Sequence, residues 1–96
     1  MRPSTALEAH RAAVREAVRR CRAANARVFG SVALGRDHEG SDLDLLVDVA
    51  PGTTLFELGA LQLELEEILG VPVDVLTPSD LPPRLRDRVL AEARPV

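Results

Sequence analysis

Large apolar residues recur at helical spacing through Leu7, Val14, Val18 and Cys21, and Thr5 and Glu8 stand before them in the capping-box relation. This predicts a first helix ending near Asn25. Its other side carries Arg11, Arg15, Glu16, Arg19 and Arg22, which reads as a solvated face. Ala26 to Phe29 is a short strand stopped by Gly30, and Ser31 opens a turn of helix through Leu34 that Gly35 breaks. After a polar loop from Arg36 to Gly40, Leu43, Leu45, Val47 and Val49 alternate with Asp42, Asp44, Leu46 and Asp48, the period of a strand with one core face. Ala50-Pro51-Gly52 ends it.

Thr54 and Glu57 form a second capping-box pattern, followed by Leu58, Leu61, Leu65, Ile68 and Leu69 at helical spacing and by Gly70 as a C-terminal stop. Val71 to Leu76 is apolar apart from Asp74 and reads as a third strand, with Pro72 marking an edge or a strand start. Ser79 or Asp80 then caps a last helix, with Pro82 and Pro83 in its first turn and Leu85, Val89 and Ala93 as its inner stripe. The order is that of one small α/β domain spanning residues 1–96, with three strands. It cannot be a dinucleotide-binding domain, because Gly30, Gly35 and Gly40 lack the G-x-G-x-x-G spacing.

Composition narrows the chemistry. All 12 basic residues are Arg, so a Walker-A phosphate loop and Schiff-base chemistry are excluded, and phosphate would be met by Arg, backbone N–H groups or metal. The net charge of −3 disfavours nucleic acid and membrane surfaces as partners. Cys21 is the single cysteine, so no internal disulfide can form, and no apolar run is long enough to span a bilayer. A cytoplasmic setting is expected. His10 and His38 have no second ligand at metal spacing and read as structural or solvated.

Asp42 and Asp44 are two apart on a strand and so share a face, with Cα atoms roughly 6.6 Å apart. Two carboxylates this close repel unless a cation neutralises them, and hard oxygen donors with room for water and phosphate suit Mg²⁺. A D-x-D pair can equally cap a loop. Here it follows a Gly30-Ser31 turn between a strand and a helical turn, where free N–H groups and a serine hydroxyl suit a phosphate. Asp48 shares the face of Asp44 further along and reads as a strand-end charge.

The segment Gly30-Ser31-Val32-Ala33-Leu34-Gly35 followed by Ser41-Asp42-Leu43-Asp44-Leu45-Leu46-Val47 resembles the signature of the nucleotidyltransferase superfamily headed by DNA polymerase β, and within it the minimal, MntA-like branch. Val71-Pro72-Val73-Asp74-Val75 and the closing Leu-Pro-Pro helix match that layout. The resemblance implies the nucleotidyltransferase fold, a small three-stranded mixed sheet packed with helices (α+β). It also implies transfer of AMP from ATP by a two-metal in-line displacement: Asp42, Asp44 and Asp74 as catalytic residues and ligands of two Mg²⁺ ions, Gly30 and Ser31 on the β- and γ-phosphates. The branch frequently carries Arg immediately before the second glycine. Here that position is Leu34, and Arg36, one residue beyond the glycine, is the candidate to replace it. The implied acceptor is a tyrosine of a small all-helical HEPN-type protein, toxin to this antitoxin. Two alternatives stand beside this reading: a degenerate module that neutralises its partner by occlusion, favoured by Leu34, and nucleotidyl transfer to a small molecule such as an aminoglycoside.

Overall fold

A computed structural model describes residues 1–96. The chain runs through α1 (Pro3–Arg20), β1 (Ala23–Phe29), the short α2 (Gly30–Ala33), β2 (Leu43–Val49), α3 (Leu55–Leu69), β3 (Val73–Leu76), a 3-10 turn (Pro78–Asp80), α4 (Pro83–Glu92) and β4 (Arg94–Pro95). The sheet order is β3-β2-β1-β4. β1 is antiparallel to β2 and to β4, while β2 and β3 run parallel, so the sheet is mixed. The predicted α/β layout holds with one correction, a fourth strand in place of three. β4 is two residues paired to Arg27 and Val28, and Val96 extends the pairing by donating its N–H to the Ala26 carbonyl at 3.0 Å.

The period of β2 sorts the two faces of the sheet. Leu43, Leu45 and Val47 join one core cluster with Leu7, Val14 and Val18 of α1 and Leu58, Leu61, Leu65 and Leu69 of α3. Asp42, Asp44 and Asp48 therefore lie on the opposite face, together with Leu46. Leu46 and Leu81 are buried outside that cluster, which leaves the second face only partly apolar. α4 buries none of its residues; Leu85, expected on an inner stripe, is exposed.

The helix ends follow local chemistry in α3 and distant chemistry in α1. Thr54 Oγ1 accepts from the Glu57 N–H at 3.1 Å, and Gly70 takes the left-handed conformation (φ 70°) that closes the helix. α1 instead begins two residues before the expected Thr5 cap. Arg2 at its N-cap supplies no side-chain capping bond to the helix, and no acid lies in its first turn. Asp37, from the loop after α2, takes over both roles. Its carboxylate accepts from the Ser4 N–H at 2.8 Å and from Arg2 Nη2 at 3.2 Å. The Asp37 side chain is 0% exposed. Burial opposes its ionisation, but the bonds from Ser4 and Arg2 outweigh that and hold its pKa below the ordinary carboxylate value. Asp37→Ala is expected to cost about 2 kcal/mol of stability in urea unfolding at pH 7, through the lost cap and the lost charged hydrogen bonds.

α1 also stops at Arg20, earlier than the expected Asn25, and β1 starts correspondingly sooner, with Arg22 (φ 57°) and Asn25 (φ 53°) in the left-handed region. The ladder to β2 shifts register between Ala24 and Arg27, the mark of a bulge. Asp48 is anchored there, accepting from Arg27 Nη1 and Asn25 Nδ2, each at 3.0 Å. The Asn25 hydrogen bond is the main cause of its lowered pKa, helped by Arg27 against the effect of burial. The last helix differs too. Pro82, not Ser79 or Asp80, precedes it, and Asp80 instead closes a capping box with Thr77 around the 3-10 turn. Pro82-Pro83 can start a helix without a side-chain cap because proline at the first turn lacks the N–H that a cap would satisfy.

At the sheet edge, Glu66 and Gln62 of α3 accept from the Val73 and Val75 N–H groups at 3.0 and 3.1 Å. This covers donors of the edge strand β3 that would otherwise be open to another chain. No helix is long and apolar enough to cross a membrane.

Candidate active site

The parallel pairing of β2 and β3 sets Asp44 beside Asp74, while the antiparallel pairing of β1 and β2 sets Phe29 on its other side. One row across the sheet therefore reads Phe29, Asp44, Asp74, with Asp42 immediately before β2, two residues ahead of Asp44. The sheet register thus brings together the three acids singled out in the sequence. Phe29 is the member that sequence reasoning passed over. Its signal was position alone: the last residue of a strand, immediately before Gly30.

Asp44 is the inner member of the row, half-buried, whereas Asp42 and Asp74 are exposed. Its pKa is pushed up to about 6, first by burial and then by the negative charges of Asp74 and Asp42. The acids do not converge into a closed cage, since no three His, Cys, Asp or Glu side chains are gathered as a metal cluster. They form a face of carboxylates whose repulsion a cation would relieve.

Gly30 meets this face directly. It has φ +69°, a conformation that suits glycine, and a Cβ placed on it would collide with Asp44 Oδ2. The turn and the acid strand are therefore packed with no side-chain layer between them. Ser31 follows in the first turn of α2, whose N–H groups have no acceptor within the helix. The Arg36 N–H donates to the Ser31 carbonyl at 2.8 Å, so Arg36 leaves the same turn, exposed and without an ion pair. Leu34, in the position where the resemblance suggested an Arg, is also exposed. The donor set is hard oxygen throughout, and it fits Mg²⁺ with a triphosphate better than a soft or redox metal. His10 is exposed on α1, and the ring of His38 faces the Glu39 carbonyl.

The acid face is open rather than enclosed. The largest surface groove, about 420 Å³, lies elsewhere, between Arg15, Val18, Asn25 and Val96. That groove has no titratable cluster, and the register of the acids is the stronger indication of where chemistry occurs.

A model of the nucleotidyltransferase domain matches residues 7–96. The chain belongs to the nucleotidyltransferase family. A Methanocaldococcus jannaschii protein that carries the name of a protein adenylyltransferase is 48% identical to this nucleotidyltransferase over 68 residues, 71% of this chain and 73% of that one. A solved structure of a minimal nucleotidyltransferase superposes with a TM-score of 0.86 at 48% identity, covering 97% of this chain and 95% of the other. A toxin–antitoxin complex crystallised with AMP-PNP has the same fold, with a TM-score of 0.73 at 22% identity over 83% of this chain and 66% of that one. The nucleotidyltransferase fold predicted by resemblance is therefore the fold found, with its fourth strand added.

Proposed function

We propose that this nucleotidyltransferase moves AMP from ATP to a tyrosine hydroxyl of a small, all-helical HEPN-type toxin, and that it acts as the antitoxin of that pair. The observation that carries the catalytic part is the register that aligns Asp44 with Asp74 while Gly30 abuts Asp44. The protein adenylyltransferase name of the Methanocaldococcus relative and the toxin–antitoxin complex of the same fold support a protein as the acceptor. The open acid face suits an acceptor side chain presented by another protein.

In this reading Asp42, Asp44 and Asp74 hold Mg²⁺, two ions by analogy with the superfamily. Bound there, Mg²⁺ supplies charge neutralisation on the triphosphate and a lowered pKa for the attacking hydroxyl. Gly30 lets the β- and γ-phosphates approach the backbone, Ser31 donates to them, and Arg36 offsets charge that no lysine is present to offset. The acceptor oxygen bonds to the α-phosphorus as the bond to the bridging oxygen of the β-phosphate breaks. Pyrophosphate leaves, and the hydroxyl proton passes to the carboxylate face or to water.

With α-labelled ATP, Mg²⁺ and the helical partner, label is expected on a partner tyrosine, and Asp42→Asn is expected to remove it. Unlabelled partner, or label indifferent to Asp42→Asn, contradicts the catalytic reading. A second reading has one observation in its favour: Leu34 leaves the turn without the guanidinium seen in that branch. If this chain neutralises its partner by occlusion alone, Asp44→Asn leaves neutralisation intact.

A further inference from the structure

β3 carries Asp74 with little to hold it. The strand is four residues long, lies at the edge of the sheet and has a strand partner only in β2. Its register sets Asp74 beside Asp44, and like charges directly opposite one another push their strands apart. Of the two strands involved, β2 is central and β3 is the one with room to yield. What meets its open edge is α3. The Val73 N–H donates to Glu66 Oε2 at 3.0 Å and the Val75 N–H to Gln62 Oε1 at 3.1 Å, so the backbone is gripped on either side of Asp74. We propose that Gln62 and Glu66 are positioning residues for Asp74, and that their paired bonds hold the edge strand where Asp74 and Asp44 can close on one divalent cation. The inference rests on the metal-dependent reading of the acids given above.

The two elements match in spacing. Residues four apart on a helix are separated by about 6 Å along its axis, and residues two apart on a strand by about 6.6 Å. Because the chain turns back at Gly70, the later helix residue, Glu66, meets the earlier strand residue, Val73. Glu66 is also placed against the preference of its own helix. It lies in the last turn of α3, where the carbonyl end favours cations, and no basic residue accompanies it there. What its charge strengthens is the bond to the strand. Val73 and Val75 bury their own side chains in the core, which sets the face on which Asp74 lies. Aliphatic packing is non-directional, however, and the two acceptors add the directed hold that keeps the strand in place against the repulsion. A role confined to blocking the sheet edge would need only that the donors be covered, whereas a clamp needs both acceptor oxygens.

Mg²⁺ titration of the full chain with a non-hydrolysable ATP analogue, followed by nuclear magnetic resonance at the Asp44 and Asp74 amides, tests the clamp. Glu66→Met and Gln62→Met keep a side chain of similar length and remove the acceptor oxygen. Each is expected to raise the Mg²⁺ midpoint by about fivefold or more, and to speed amide exchange at Val73 and at Val75 respectively. Glu66→Gln keeps an acceptor and is expected to stay within about twofold of the wild type. Thr54→Ala weakens the same helix through its cap and is expected to leave the midpoint unchanged, so lost stability alone does not produce the shift. Wild-type midpoints in both methionine variants, no rescue by Glu66→Gln, or an equal shift in Thr54→Ala overturns the proposal. A wild-type chain whose acids do not respond to Mg²⁺ at all overturns the metal-dependent reading itself, and the proposal with it.

Discussion

Asp44→Asn is expected to make the metal-free chain more stable at pH 7.5 while reducing nucleotidyl transfer by roughly 10³-fold. The two effects share one cause. Asp44 has its pKa raised to about 6 by burial and by Asp74 and Asp42, so the folded chain binds its proton more tightly than the unfolded chain does. The associated stability is present in full below the unfolded value near 3.8, declines as pH rises through about 6, and is absent above it. At pH 7.5 the ionised carboxylate is a net cost, about 1–2 kcal/mol once its partial exposure to solvent is allowed for. Asparagine keeps the shape and removes the charge. Its thermal midpoint should lie several degrees above that of the wild type at pH 7.5, since each kcal/mol moves a domain of this size by about 4–8 °C. The difference should vanish near pH 4. Added Mg²⁺ should reverse the order, because binding to the folded state stabilises only the chain that keeps its ligand. Equal midpoints at pH 7.5, or a variant that remains active, would show that Asp44 is neither strained by its neighbours nor needed.

Gly30→Ala is the complementary case, in which activity should suffer far more than folding. Alanine at φ +69° carries a backbone penalty of about 1 kcal/mol, and its Cβ would collide with Asp44 Oδ2. The carboxylate is the mobile end of a side chain, so the fold can yield by turning it aside. That movement takes Asp44 out of line with Asp74 and fills the space a phosphate would need. A loss of roughly 100-fold or more in turnover with a stability loss of only about 1–2 kcal/mol is expected. Turnover that fell only in proportion to the folded fraction would mean that the contact between the turn and Asp44 has no role in the reaction.

These expectations depend on geometry that the sequence revealed unevenly. The alternation through β2 and the Thr54 and Gly70 ends of α3 were legible because each is a local signal, set by residues within a few positions of one another. Asp42 and Asp44 share a face for the same reason. That Asp74 lies level with Asp44, and not two residues higher or lower, depends on the β2–β3 register, which only the packed sheet decides. β4 was invisible because Arg94-Pro95 has no strand pattern and pairs only where β1 offers it a partner. The start of α1 was misplaced for a related reason: its cap is Asp37, which approaches from a distant loop, while the nearby Thr5 and Glu8 imitate a cap.

In the function proposed above, Gly30, Ser31 and the three acids form one metal-dependent triphosphate site. Calorimetric titration with a non-hydrolysable ATP analogue tests it most directly, because binding is read without requiring the acceptor. Binding is expected to require Mg²⁺, to disappear in EDTA, and to weaken by roughly tenfold or more in Asp42→Asn and in Gly30→Ala. Binding of equal strength with and without Mg²⁺, unchanged by either substitution, would contradict it.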